Sequence, residues 1–218
     1  MFQSYPATYT DAHGTDETTI TNDGETLRME LRGVMFSSAD FDGFEPDEGT
    51  PSERLATFAL NGRELCACTL EFDMPIPIVE SGRTINGTLA VTLTHGRPKA
   101  NGAINHIHLS ITLSYNGRTF TSDTKTGHFE DGLNRIQNQL PNGTHIKACI
   151  TCLYSDYSPF GSGLFGTMMC FRNVKDDYLA VISKDTFWDV HDHYDRQVQE
   201  TYLCDDFKRR VAGTGYRG

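Results

Sequence analysis

Asn-Gly and Asp-Gly dipeptides recur along the chain, at Asp23-Gly24, Asn61-Gly62, Asn86-Gly87, Asn101-Gly102, Asn116-Gly117 and Asn142-Gly143. Asn, Asp and Gly tolerate the positive φ that tight hairpin turns demand. Most of these pairs are flanked by alternating or β-branched runs, so the pattern predicts hairpins. The first is expected to join 17–21 to 26–31, and the second 56–60 to 63–72. Further strands are expected at 84–94, 105–115 and 118–122.

Alternation is clearest in Ile107, Leu109, Ile111, Leu113 and Tyr115, which interleave with His106, His108, Ser110, Thr112 and Ser114. Cys66, Cys68, Leu70 and Phe72 repeat the pattern against Thr69, Glu71 and Asp73. Successive strand side chains point to opposite faces, so each run buries one face. The segment 74–77, Met-Pro-Ile-Pro, is expected to lie outside any central strand, because proline has no ladder donor. The acidic stretch 37–52 reads as a surface loop.

The period changes after His128. Phe129, Leu133, Ile136 and Leu140 fall on one helical stripe, which Pro141-Asn142-Gly143 stops. A strand is expected at 145–154 and another at 178–182. Ser183 is placed to cap a C-terminal helix from about Asp185, with Phe187, Val190, Tyr194, Val198 and Tyr202 as its stripe. Strands first and helices later predict an α+β fold. Its main part is antiparallel sheet, a sandwich or a curled sheet, with one central and one C-terminal helix packed on it. One domain over 1–218 is expected, with a hairpin-rich part to 125 and a mixed part from 126.

A chain of 218 residues with 38% hydrophobic content supports one sizeable core. Its formal net charge is −10, and residues 1–80 carry 16 acidic side chains against 4 basic ones. That balance excludes general nucleic-acid binding, which needs Lys and Arg against phosphate. No apolar run reaches the roughly 20 residues a membrane helix requires. The start, MFQSYPATYTDAHG, has no basic or apolar leader, so a cytoplasmic protein is expected. Six cysteines are too sparse for a disulfide scaffold. They read instead as core thiols, metal ligands or a reactive thiol.

Thiols, glycines and aromatics concentrate in one segment, CITCLYSDYSPFGSGLFGTMMCFR, from Cys149 to Arg172. Cys149 and Cys152 form a CxxC pair, and Cys170 follows at a spacing seen in structural zinc sites. A fourth ligand must come from elsewhere, with Cys204, His145, His191 or His193 as options. A straight strand would turn Cys149 and Cys152 to opposite sides, so they converge only if the strand ends or bulges between them. The competing reading is a set of buried core thiols. A nucleophilic Cys152 or Cys170, activated by Lys147, Arg172 or Lys175, is a third.

Gly161-Ser162-Gly163-Leu164-Phe165-Gly166 matches G-x-G-x-x-G, but six residues separate it from the preceding strand and hairpins, not crossovers, lie upstream. A dinucleotide site is therefore not expected, and the glycines read as a tight loop. His106 with His108 is read as part of a polar stripe rather than a metal pair. His191 and Asp195 stand four apart and are candidates for a surface pair.

The Cys149–Arg172 segment, with VQETYLCDDFKRR and the terminal GTGYRG, resembles a bacterial family of uncharacterised proteins classed as a domain of unknown function. The resemblance is closer over the C-terminal half. It implies a bacterial cytoplasmic source and one recurring constellation of Cys149, Cys152, Cys170 and Cys204. It implies no activity. The function expected is that of a non-enzymatic binding or interaction protein with a thiolate zinc site at those four cysteines. The alternative is a cysteine-dependent enzyme.

Overall fold

The computed structural model describes residues 2–216. The chain opens with β1 (Gln3–Asp11) and β2 (Gly14–Asn22), a long hairpin in full register from Gln3 opposite Asn22 to Asp11 opposite Gly14. Then come β3 (Leu27–Leu31), β4 (Val34–Ser38), the two-residue β5 (Glu45–Pro46) and a single helical turn, α1 (Ser52–Leu55). A small hairpin, β6 (Leu60–Asn61) and β7 (Glu64–Leu65), precedes the two longest strands, β8 (Cys68–Glu80) and β9 (Arg83–His95). β10 (Ile107–Tyr115) and β11 (Arg118–Thr124) complete the first part.

The main sheet is antiparallel and runs β11-β10-β9-β8-β1-β2-β3-β4-β5. Antiparallel sheet dominates and helices are few, as an α+β fold requires. Residues of one face are buried in alternation, among them Tyr5, Tyr9, Leu70, Phe72, Met74, Ile76, Leu89, Val91, Leu93, Leu109, Ile111 and Leu113. Thr8, Glu71, Asp73, Thr92 and Thr112 fall on the opposite, polar face. Helix α2 (Phe129–Gln139) covers the apolar face through Phe129, Leu133 and Ile136, which are fully buried. Gly132 makes this close, since a Cβ there would press on the Ile111 side chain at 2.8 Å.

Several expectations are corrected. Asn86-Gly87 is not a turn. It lies inside β9 opposite Pro77 and Ile76, and Gly87 leaves room for Leu113 and Ile78. The turn joining β8 and β9 is Ser81-Gly82, both at positive φ. Residues 56–59 form no strand, and Cys66 lies outside β8, separated from Cys68 by Ala67 at φ 49°. The chain before residue 17, where no element was read from the sequence, supplies β1 and the start of β2.

Pro75 and Pro77 sit within β8, a central strand, against expectation. In an antiparallel ladder the N–H and C=O of one residue face the same neighbour, and successive residues alternate. The Pro77 carbonyl accepts from the Lys147 amide at 2.8 Å, so Pro77, and Pro75 by parity, turn away from β9. On that side β1 pairs only with 69–72, and β12 (His145–Ile146) only with Ile78 and Val79. Between them the sheet has a gap, and no donor is missed.

The C-terminal part is less regular than expected. The expected strand 145–154 is β12, then a 3-10 turn at Cys149–Thr151, then β13 (Ser155–Asp156). β14 (Met168–Cys170) and β15 (Arg196–Val198) join β13 in a three-stranded sheet. Residues 178–182 are no strand, because α3 (Lys175–Leu179) occupies the site. The long C-terminal helix is replaced by α4 (Lys184–Phe187), a 3-10 turn at His191–His193 and β15. Of its stripe, Phe187, Val190 and Tyr194 pack around Phe171 and Tyr178, while Val198 and Tyr202 join the main core. Ser183 does cap α4, in a reciprocal capping box with Thr186. Arg217 and Gly218, the end of the GTGYRG string, lie outside the described residues. No helix among the described residues is long and apolar enough to cross a membrane.

Candidate functional site: a thiol cluster beneath a glycine-rich loop

The 3-10 turn removes the geometric obstacle to the CxxC pair. Its hydrogen bond runs from the Cys152 amide to the Cys149 carbonyl at 3.0 Å. In such a turn residues three apart eclipse one another, whereas a strand would divide them. Ser155 braces the turn, donating its hydroxyl to the carbonyl of Cys149 at 2.5 Å and of Cys152 at 3.4 Å. Ser155 also stands directly opposite Cys170 in the β13–β14 pair. The last thiol arrives on the segment that follows the turn at Glu200–Thr201, where the Cys149 amide donates to the Tyr202 carbonyl at 2.7 Å, two residues before Cys204.

The four thiols thus come from three pieces of chain into one neighbourhood. Their electrostatics say the same. Burial pushes the Cys149 thiol well above the usual range, and Cys152, Cys170 and Cys204 push it further. Burial also raises Cys170, against the Arg172 amide and guanidinium, which lower it. Among the described residues, no group of three or more His, Cys, Asp or Glu side chains is arranged to hold a metal ion. The cysteines are free thiols and neighbours, not a closed coordination shell. Cys149, Cys152 and Cys170 are buried, and Cys204 is half-buried at the edge of a cleft.

The histidines go elsewhere. His145 stacks on Phe207. His191 packs against Phe160, Phe187 and Trp188 and pairs with Asp192 at 2.7 Å. Asp195, its expected partner, instead binds Arg172 at 2.6 Å. His108 pairs across strands with Asp123 at 2.5 Å, which is the polar-stripe role. Lys175 is engaged by Asp206 at 2.9 Å.

The glycine-rich loop is pinned from both sides by carboxylates that no motif marks. Glu200 is fully buried and accepts from the Tyr157 hydroxyl and the Gly166 amide, each at 2.8 Å. Burial pushes its carboxyl up to about 7. Asp40 accepts from the amides of Phe165, Phe41 and Leu164, and burial with nearby Asp42 pushes it up to about 6. Phe165 is buried against Phe41 and Phe129, at centroid distances of 5.0 and 4.7 Å. The loop opens no helix, unlike a dinucleotide fingerprint, and Gly161 and Gly166 take positive φ in its turns.

Residues 3–155, more than half of the chain, match a family of unknown function (DUF6304). The chain belongs to that family. The matched stretch takes in the main sheet, α2 and the CxxC turn. It stops before Cys170, Cys204 and most of the strings that carry the resemblance. No curated protein and no solved structure matches the chain.

Proposed function

We propose that the chain is a binding protein whose C-terminal part is held by a thiolate metal centre, zinc by its ligand chemistry, at Cys149, Cys152, Cys170 and Cys204. What supports this reading is that the chain segments bearing the four thiols meet at the 3-10 turn, through the Ser155–Cys170 pairing and the Cys149 amide on the Tyr202 carbonyl. Clustered thiols resist ionisation because each thiolate repels the next. A dication relieves that repulsion, and ligation deprotonates them outright. Four-thiolate ligation is a common structural zinc set. Among the described residues no three ligating side chains are yet placed to hold a metal, so closing the centre requires the thiols to turn inward.

Six free cysteines suit a reducing compartment, which supports the bacterial cytoplasmic setting that the resemblance implies. The runner-up, a cysteine-dependent enzyme, draws support from one observation, the placement of Cys204 on a cleft. Cys152 and Cys170 are each 5% exposed and are poorly placed as nucleophiles.

Metal analysis of the purified chain is the test. About one equivalent of zinc, lost with the fold on chelation and absent from Cys149→Ser, supports the centre. A metal-free, folded chain with Cys204 fast towards iodoacetamide near neutral pH replaces it with the enzyme reading. A metal-free chain with slow thiols leaves neither.

A further inference from the structure

The gap in the main sheet between β1 and β12 is the mouth of a cleft of about 370 Å³. Pro75 and Pro77 line it, together with Tyr202, Leu203 and Phe207 from the C-terminal segment. The prolines matter twice. Their ring faces are apolar, and their missing N–H groups deny the gap to any added strand, which would need those donors. The cleft therefore stays open as a pocket rather than a pairing edge. Its volume lies in the range of small-molecule sites.

Lys147 lines the same cleft, with its amide anchored on Pro77. The half-buried Lys147 side chain makes no ion pair or hydrogen bond with any described residue. Asp205, exposed, brings a single carboxylate to the lining. An apolar pocket with one unpaired cation selects a ligand with an apolar body and an anionic end. The nearby carboxylate penalises a second negative charge.

We propose that this cleft binds a small organic monoanion, a carboxylate on an apolar or aromatic body. Lys147 is its counter-ion, and Pro75, Pro77, Tyr202 and Phe207 enclose the body. The inference does not rest on the metal reading, since none of these five residues is a ligand there.

The test is a fluorescence titration of the full chain with 2-naphthoate and with its neutral isostere, 2-naphthamide. Saturable binding of the acid, at least about tenfold tighter than the amide, is expected, equivalent to about 1.4 kcal/mol. Lys147→Gln should bring the acid down to the amide's affinity and leave the amide unchanged. Phe207→Ala should weaken both, with circular dichroism confirming the fold. Equal affinities for acid and amide, unchanged acid binding by Lys147→Gln, or no saturation at millimolar ligand would each overturn the proposal. Measuring the metal content of the same preparation keeps this outcome separate from that of the zinc centre.

Discussion

Tyr157 donates its hydroxyl to the fully buried carboxylate of Glu200 across 2.8 Å, joining the start of the glycine-rich loop to the segment that carries Cys204. The same carboxylate takes the Gly166 amide at the loop's far end, and the Glu200 carbonyl takes the Ile150 amide in the CxxC turn. One residue therefore ties the loop, the turn and the segment leading to the last thiol together. Burial raises its folded carboxyl from about 4.5 to about 7.

A pH dependence of stability is the consequence. A carboxyl raised on folding holds its proton longer in the native state than in the unfolded one. Its stabilisation is complete below about pH 4.5 and is lost as pH rises to about 7. Asp40, raised to about 6, contributes in the same direction from about 3.8. Chemical denaturation between pH 4.5 and 7 should show stability falling with pH through these groups. Glu200→Gln should flatten most of that slope, a change on the order of 3 kcal/mol over the window. An unaltered slope in the variant would show that Glu200 does not titrate there.

Asn22 is the buried rivet between the main sheet and the C-terminal segment. Its amide nitrogen donates to Gln199 at 2.7 Å and to the Tyr5 hydroxyl at 2.8 Å, and Gln199 donates back at 3.0 Å. Asn22→Ala strands the buried Gln199 amide, at a cost of about 1–3 kcal/mol. Replacing both, Asn22→Ala with Gln199→Leu, should cost less than the sum of the two single changes. Strict additivity in a double-mutant cycle would count against a direct contact.

The parts legible in the sequence were those where one local signal dominates. The alternation from Ile107 to Tyr115, the Asn116-Gly117 turn and the stripe Phe129, Leu133, Ile136 all mark elements at or near their true places. The signal failed where tertiary context decides. Gly87 looks like a turn residue but is a packing residue, and 178–182 has strand-like composition but begins inside α3 and continues as its cap and a loop. The CxxC spacing of Cys149 and Cys152 is plain in the sequence. The 3-10 turn that turns the pair together is not, since CIT carries no cap or turn signature. Glu200, Asp40 and Asn22 matter through burial, and their partners lie far along the chain, from 34 residues for Glu200 to 177 for Asn22.

The prolines of β8 give a prediction on parity. Pro75 and Pro77 face the gap, so Pro75→Ala and Pro77→Ala remove no ladder bond and should each change stability by less than about 1 kcal/mol. Ile76 faces β9 with its amide. Ile76→Pro should exceed the cost of Ile76→Ala by about 1–3 kcal/mol, the penalty for leaving the buried Gly87 carbonyl without its central-strand donor. Equal costs at 76 would mean that the ladder register is different.

Gly163 tests the other clasp on the loop. A Cβ at this position would overlap Asp40 Oδ2 and lie 2.9 Å from Thr167 Cγ2. The carboxylate is held there by the Phe165 and Leu164 amides, so it has little freedom to withdraw. Gly163→Ala should therefore destabilise the chain by about 1–3 kcal/mol through overpacking. The loss should fall on the loop first, exposing Phe165. Asp40→Ala removes the obstructing oxygen and also the amide acceptor, so by itself it also destabilises. In that background Gly163→Ala becomes cheaper, since only the flexible Thr167 methyl remains in the way. A favourable coupling of about 1 kcal/mol is expected, within the range for residues in contact. Thermal melts of the four proteins measure it. Costs that simply add would mean that the loop, not Asp40, sets the space around Gly163.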